Sequence, residues 1–119
     1  MWWVGRHRPG LLTASKAALA SITKNLARDL AADRILVNAV APGTVLTNGV
    51  ARVIRAAGGD STDPVGSYAI MADRYGAHID LGRVAFPDEI ASVVIFCASE
   101  ANTFMTGAHI NVDGGSDFT

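Results

Sequence analysis

Arg34-Ile35-Leu36-Val37-Asn38-Ala39-Val40-Ala41, followed at once by Pro42-Gly43, is the stretch on which the fold turns. The run is nearly continuously apolar instead of alternating, which is the pattern of a strand covered on both faces, as in a parallel sheet. Pro42-Gly43 ends it. Residues 11–32, just before, read as a long helix, with Leu12, Leu19, Ile22, Leu26 and Leu30 at steps compatible with a 3.6-residue period. Ala14, Ala17, Ala18 and Ser21 add a second face of small side chains, so this helix is expected to be buried on two sides. Further along, Pro87 opens another helix with Asp88 and Glu89 in its first turn, both ordinary helix-start signals. Ile90, Val93, Val94 and Cys97 are its expected buried face, and Gly107 to Val112 reads as a final short strand ended by Asp113-Gly114-Gly115.

The order helix, strand, small helices, helix, strand is the alternation of an α/β fold with a parallel sheet. Two strands cannot cover one another, so the rest of such a sheet has to be supplied from elsewhere. Residues 1–10 show no period of 2 or 3.6 and read as an irregular arm, leaving 11–119 as a partial domain. Residues 48–82 hold two short helical stretches, Gly49 to Ala57 and Ser67 to Tyr75, separated by the breaker cluster Gly58-Gly59-Asp60-Ser61-Thr62-Asp63-Pro64. Tyr68, Met71, Ala72 and Tyr75 fall on one face of the second. The stretch reads either as a mobile binding segment or as a plain surface connection.

Composition narrows the function classes. The chain has 119 residues, 50% of them hydrophobic and 18% charged, which suits one packed domain and not a disordered one. The net charge of -1 argues against a general nucleic-acid binder. The charge is uneven: residues 1–55 hold eight Lys/Arg against two Asp/Glu, and residues 56–119 hold two against nine. Two oppositely charged solvated faces explain this as well as an anionic ligand does. No apolar run reaches the roughly 18 residues that span a bilayer, and the start has no secretory signal, so the expectation is a soluble cytoplasmic protein that binds no membrane. The single Cys97 rules out an internal disulfide and a cysteine metal cluster, and its place on an apolar helix face favours inert packing. No metal-ligand spacing appears. His7, His78 and His109 lie in unrelated segments and read as surface or structural residues.

Neither a G-x-G-x-x-G turn nor a P-loop is present. Two features remain. Thr13-Ala14-Ser15-Lys16-Ala17-Ala18-Leu19 puts a lysine near the start of an apolar-and-small helix. Asn38 to Thr47 runs a buried strand into a Pro-Gly turn, and in open α/β sheets ligands bind beyond the carboxyl ends of strands. With Gly82-Arg83-Val84-Ala85-Phe86-Pro87-Asp88-Glu89-Ile90-Ala91 and Thr106 to Gly115, these segments stand in the order found in the C-terminal half of a classical short-chain dehydrogenase/reductase. From about Leu12 to Gly115 the chain resembles that family, its 3-oxoacyl-ACP-reductase-like members in particular.

The resemblance implies the C-terminal part of a Rossmann-like, doubly wound parallel sheet without its nucleotide-binding half. It also implies an NAD(P)-dependent oxidoreductase that moves hydride between nicotinamide and an alcohol or ketone. In the family a Tyr-x-x-x-Lys pair shares one helix face; the tyrosine moves a proton, and the lysine binds the nicotinamide ribose and lowers the tyrosine's pKa. Lys16 matches that lysine as catalytic and cofactor-binding residue, whereas the tyrosine position falls on Leu12. Pro42, Gly43, Val45 and Thr47 match the turn that contacts the nicotinamide carboxamide and nearby phosphate, and residues 48–82 match the variable substrate-binding segment. The 11–32 helix and the last strand match surfaces through which the family forms homo-oligomers. The Gly-rich turn, the ribose selector, the Asn-Ala-Gly segment and the catalytic serine precede this region in the family. A truncated gene, a frameshifted reading or a wrongly chosen start would explain their absence. Leucine cannot exchange a proton, so the chain as written is expected to have little or no dehydrogenase activity. The alternatives are a non-catalytic oligomerisation or interaction fragment and a gene product without function.

Overall fold

A computed structural model describes residues 9–116, and the expected N-terminal arm lies almost wholly outside the described residues. The elements are α1 (Pro9–Asp29), a single 3-10 turn (Ala31–Asp33), β1 (Ala39–Pro42), α2 (Asn48–Ala56), α3 (Pro64–Tyr75), α4 (Pro87–Ala98) and β2 (His109–Val112). The two strands pair in parallel as a two-stranded sheet, so the expected α/β class and the partial parallel sheet hold. Two compact units divide the described chain. One holds residues 42–92 and 111–116; the other holds 9–41 and 93–110.

The first unit is built on α2 and α3. Thr47 caps α2, its hydroxyl oxygen accepting from the Val50 N–H, and the Asp63 carboxylate caps α3 by accepting from the Val65 N–H. Pro64 in the first turn suits a helix start, which is why α3 begins ahead of the expected Ser67. Ile54, Met71 and Ala77 are buried together, with Val50, Val53, Tyr68, Ile70, Ala72 and Tyr75 packed around them. The face expected on the second helix is therefore the packed one. The stretch 48–82 carries the main apolar core of its unit, more than a plain connection would.

In the second unit α1 begins at Pro9 and stops at Asp29, short of the expected residue 32, because the chain tightens into the 3-10 turn and Arg34 then takes a left-handed conformation. Thr23 and Ala27 are buried and Leu12, Ala20 and Leu30 are half-covered on one side of the helix. The expectation of two buried sides is corrected here. Ala14, Ala17, Ala18 and Ser21 are exposed, as are Leu11, Leu19, Ile22 and Leu26. The described residues of this unit cover only one face.

The strand is also shorter than expected. Residues 34–38 lie outside β1 because local polar contacts take their backbone groups: the Ile35 N–H donates to the Leu30 carbonyl, and the Val37 N–H to the Thr106 hydroxyl. Asn38 donates from Nδ2 to the Met105 carbonyl and accepts from the Ala108 N–H at Oδ1. The ladder then starts with the Ala39 N–H on the Ala108 carbonyl, and β2 begins at His109 in place of Gly107. The residues of β1 are half-covered or exposed and not buried on both faces. In α4, Ile90, Val93 and Cys97 are half-covered, but Val94 is exposed. Buried Asn102 closes that helix, its side chain donating to the Cys97 and Met105 carbonyls and accepting from the Met105 N–H.

Candidate functional site

The turn after β1 is anchored on both sides. The Gly43 N–H donates to the Val112 carbonyl at 3.1 Å. A Cβ on Gly43 would stand 2.7 Å from both Cα and Cβ of Asp113, so only glycine lets the two backbones approach this closely. Downstream, the Ala85 N–H donates to the Thr44 carbonyl at 3.0 Å and the Leu46 N–H to the Ala85 carbonyl at 2.8 Å, a parallel bridge centred on Val45. Alternation then aims the Val45 N–H and carbonyl away from Ala85. The carbonyl accepts from the Thr47 N–H at 2.7 Å. The Val45 N–H has no partner among the described residues. Thr47 is exposed, and its hydroxyl oxygen caps α2 while its hydrogen stays available. Thr44 is buried, and its hydroxyl has no partner among the described residues. It borders a small pocket of about 90 Å³ that Arg83, Glu89 and Asp113 also line.

Arg83 and Glu89 fix the approach to α4. The guanidinium donates twice to the carboxylate, at 2.8 Å and 2.6 Å, and the same carboxylate accepts from the Phe86 N–H at 2.8 Å. The arginine hydrogen bonds and then the backbone donor hold Glu89 down to a pKa of about 2. This clamp carried no role in the sequence reading. Its signal was present, since Glu89 stands three residues after Phe86 at a proline-opened helix, the spacing at which a carboxylate reaches back to the capping residue's N–H.

Lys16 belongs to the other unit. It is exposed on α1, one helical turn after half-covered Leu12, and no salt bridge among the described residues engages it. Ser15 Oγ donates to the Leu12 carbonyl at 2.8 Å and so is occupied in the helix. The structure thus brings Pro42, Gly43, Val45 and Thr47 together on one turn, and it sets Leu12 and Lys16 on one helix face. Of the histidines, His78 pairs with Asp80 at 2.7 Å in an exposed position and His109 is exposed; His7 lies outside the described residues. No group of residues fit to hold a metal ion occurs among the described residues. No helix of the described residues is long and apolar enough to cross a membrane.

For a nicotinamide dinucleotide the fit is one-sided. The turn offers a backbone donor at Val45 with no partner among the described residues and an exposed hydroxyl at Thr47, groups of the kind that hydrogen-bond a carboxamide and a phosphate. The chain has no Gly-rich turn for the remainder of such a molecule.

Comparison with known proteins agrees with the motifs. A family model described as enoyl-(acyl carrier protein) reductase matches residues 4–117, reaching back beyond Leu12 where the motif resemblance starts. The 3-oxoacyl-[acyl-carrier-protein] reductase FabG of Aquifex aeolicus is 37% identical over 87% of this chain and 36% of its own length. Protein FixR of Bradyrhizobium diazoefficiens is 40% identical over 85% of this chain and 30% of its own. The chain spans only 18% to 42% of the length of such curated relatives. Among solved structures, a short chain dehydrogenase family protein of Francisella tularensis superposes with a TM-score of 0.72 at 34% identity, over 98% of this chain and 47% of that one. A 2-deoxy-d-gluconate 3-dehydrogenase homologue of Agrobacterium tumefaciens with bound NADP gives 0.71 at 34% identity, over 98% and 43%. An NADPH-bound short chain oxidoreductase of Pseudomonas aeruginosa, described as containing an atypical catalytic center, gives 0.72 at 28% identity, over 86% and 37%. Motifs, elements and matches together place the chain in the short-chain dehydrogenase/reductase family.

Proposed function

We propose that this chain forms the nicotinamide-facing part of an NAD(P)-dependent oxidoreductase acting on an alcohol or ketone, and that as written it lacks the proton donor. The observation that carries this reading is the Val45 N–H, without a partner among the described residues, on a turn anchored through Gly43 and Ala85. A backbone donor fixed in this way needs no reorganisation to donate to a carboxamide oxygen. The Pro42-Gly43 bend sets its direction, and the Thr47 hydroxyl stands two residues on for a phosphate oxygen. Lys16 has the charge and the three donors to hold ribose hydroxyls. NAD or NADP, when bound, supplies or accepts the hydride. Leu12 can neither donate nor accept the proton that must accompany it. Loss of general acid–base catalysis costs about 10²–10⁴-fold in rate, or roughly 3–5 kcal/mol of barrier. The relative with an atypical catalytic center and bound NADPH supports cofactor binding outlasting changes at the reacting centre.

In the same reading residues 48–82 bind the substrate, Cys97 remains a free thiol in a cytoplasmic setting, and the chain forms homo-oligomers through α1 and β2. A second reading, a non-catalytic oligomerisation fragment, is favoured by the apolar row that α1 leaves uncovered. NADPH titration of the purified chain, followed by the cofactor's own fluorescence, separates the two. The first reading expects saturable binding in the millimolar range that Lys16→Met weakens about tenfold, the worth of one charged hydrogen bond. No binding at millimolar NADPH overturns it and leaves the second.

A further inference from the structure

Residues 82–87 form a short connector whose backbone is engaged on every side. Gly82 opens it in the left-handed region, at φ +68°, and Pro87 ends it with a ring-fixed φ. Val84 is fully buried, and its N–H donates to the Pro64 carbonyl at 3.1 Å. Its carbonyl accepts from the Arg83 guanidinium at 3.3 Å. Ala85 donates to the Thr44 carbonyl and accepts from the Leu46 N–H, and the Phe86 N–H donates to the Glu89 carboxylate. The two Ala85 hydrogen bonds stand on either side of Val45, so the placement of Ala85 sets where the Val45 N–H points. Ala85 is itself flanked by one ion pair: Arg83 holds the carbonyl before it, and Glu89 holds the N–H after it.

An ion pair of half-buried side chains commonly contributes little. This one differs in geometry. The guanidinium donates to both carboxylate oxygens, an arrangement that fixes orientation as well as energy, and each partner makes a further hydrogen bond to the connector. The start of α4 does not require the arginine, since Pro87 and Asp88 already suit a helix N-terminus. We propose that Arg83 and Glu89 are positioning residues for the nicotinamide-facing turn, the pair holding Ala85 from both sides so that the Val45 N–H keeps one direction. The inference rests on the functional reading above for what that N–H meets, and on the connector's own geometry for how it is held. The pair acts through the Ala85 backbone and carries no proton or hydride.

Hydrogen exchange on the intact chain at neutral pH, read amide by amide, separates this role from a local one at α4. The proposal expects Glu89→Gln to speed exchange at the Leu46 and Ala85 amides about tenfold more than at the Met71 amide in the core of the same unit, the size of one charged hydrogen bond. Arg83→Met carries the same comparison from the other side of Ala85, and gives it alone where Glu89→Gln does not fold. Asp88→Asn removes the neighbouring first-turn charge, leaves the clamp whole, and should leave Leu46 unchanged. In NADPH titration Glu89→Gln should weaken binding about tenfold and Asp88→Asn should not alter it. Faster exchange confined to the α4 amides, with Leu46 unaltered, overturns the proposal. So does equal acceleration at Leu46 and Met71, or NADPH affinity indifferent to Glu89→Gln once Leu46 is released. Absence of NADPH binding by the unaltered chain overturns the functional reading alone, and the Leu46 comparison still decides the positioning.

Discussion

Arg34 holds φ at +60°, the only non-glycine residue at positive φ among the described residues. A side chain there costs about 1–2 kcal/mol, partly returned through the freer unfolded state of glycine. Arg34→Gly is therefore expected to stabilise the chain by about 0.5–1 kcal/mol, read as a higher thermal midpoint; an unchanged or lower midpoint would contradict the strain. Thr44 makes the second case. Its buried hydroxyl has no partner among the described residues, and such a group costs about 1–3 kcal/mol. Thr44→Val should raise the midpoint, whereas a loss would show that a bridging water satisfies the hydroxyl. Leu12→Tyr alone should give no measurable turnover, because on this account the residues present hold only the nicotinamide end and a proton donor alone does not align cofactor and substrate; turnover in that variant would contradict the partial-site account. Motifs alone named Lys16, Pro42, Gly43, Val45 and Thr47 as candidates, and the coordinates add how the turn that carries the last four is anchored. Only geometry shows why Gly43 must be glycine, because Asp113, which stands against it, is distant in sequence.

At the scale of elements, the clamp between Arg83 and Glu89 sets the start of α4. Glu89 titrates near 2 when folded, below an ordinary glutamate, because the guanidinium and then the Phe86 N–H bind its charged form. A depressed carboxylate contributes stability that is present above its unfolded pKa and lost as pH falls through the folded one. The thermal midpoint should therefore fall between about pH 4.5 and 2, and Glu89→Gln should flatten that part of the profile while lowering the midpoint at neutral pH. An unaltered acid limb in the variant would exclude the clamp as its source. The start of α4 was legible because Pro87 and the acids after it act locally, whereas Asp63 and Pro64 read as a chain breaker and turned out to cap and open α3. Strand limits were not legible, because Asn38 and Thr106 divert backbone groups through contacts nearly seventy residues apart. The burial of α1 was overestimated for a related reason: an apolar period records what a helix is fit to meet, and the described residues meet only one side.

For the whole molecule, exposed apolar rows and an open strand edge predict association. Sedimentation should show a mass that grows with concentration, and a monomer with a cooperative melt at all concentrations would contradict the uncovered surfaces. The family, the α/β class and the partial sheet were readable from four motifs in order, while the uncovered faces needed coordinates. The claim on which the account rests is that these residues serve the nicotinamide end of a dinucleotide and no other part of it. Saturation-transfer NMR with nicotinamide mononucleotide and adenosine monophosphate, each offered to the intact chain, tests it directly. The account predicts transfer to the nicotinamide protons, reduced by Lys16→Met, and none to the adenine protons. Equal transfer to both, or transfer to adenine alone, would contradict it.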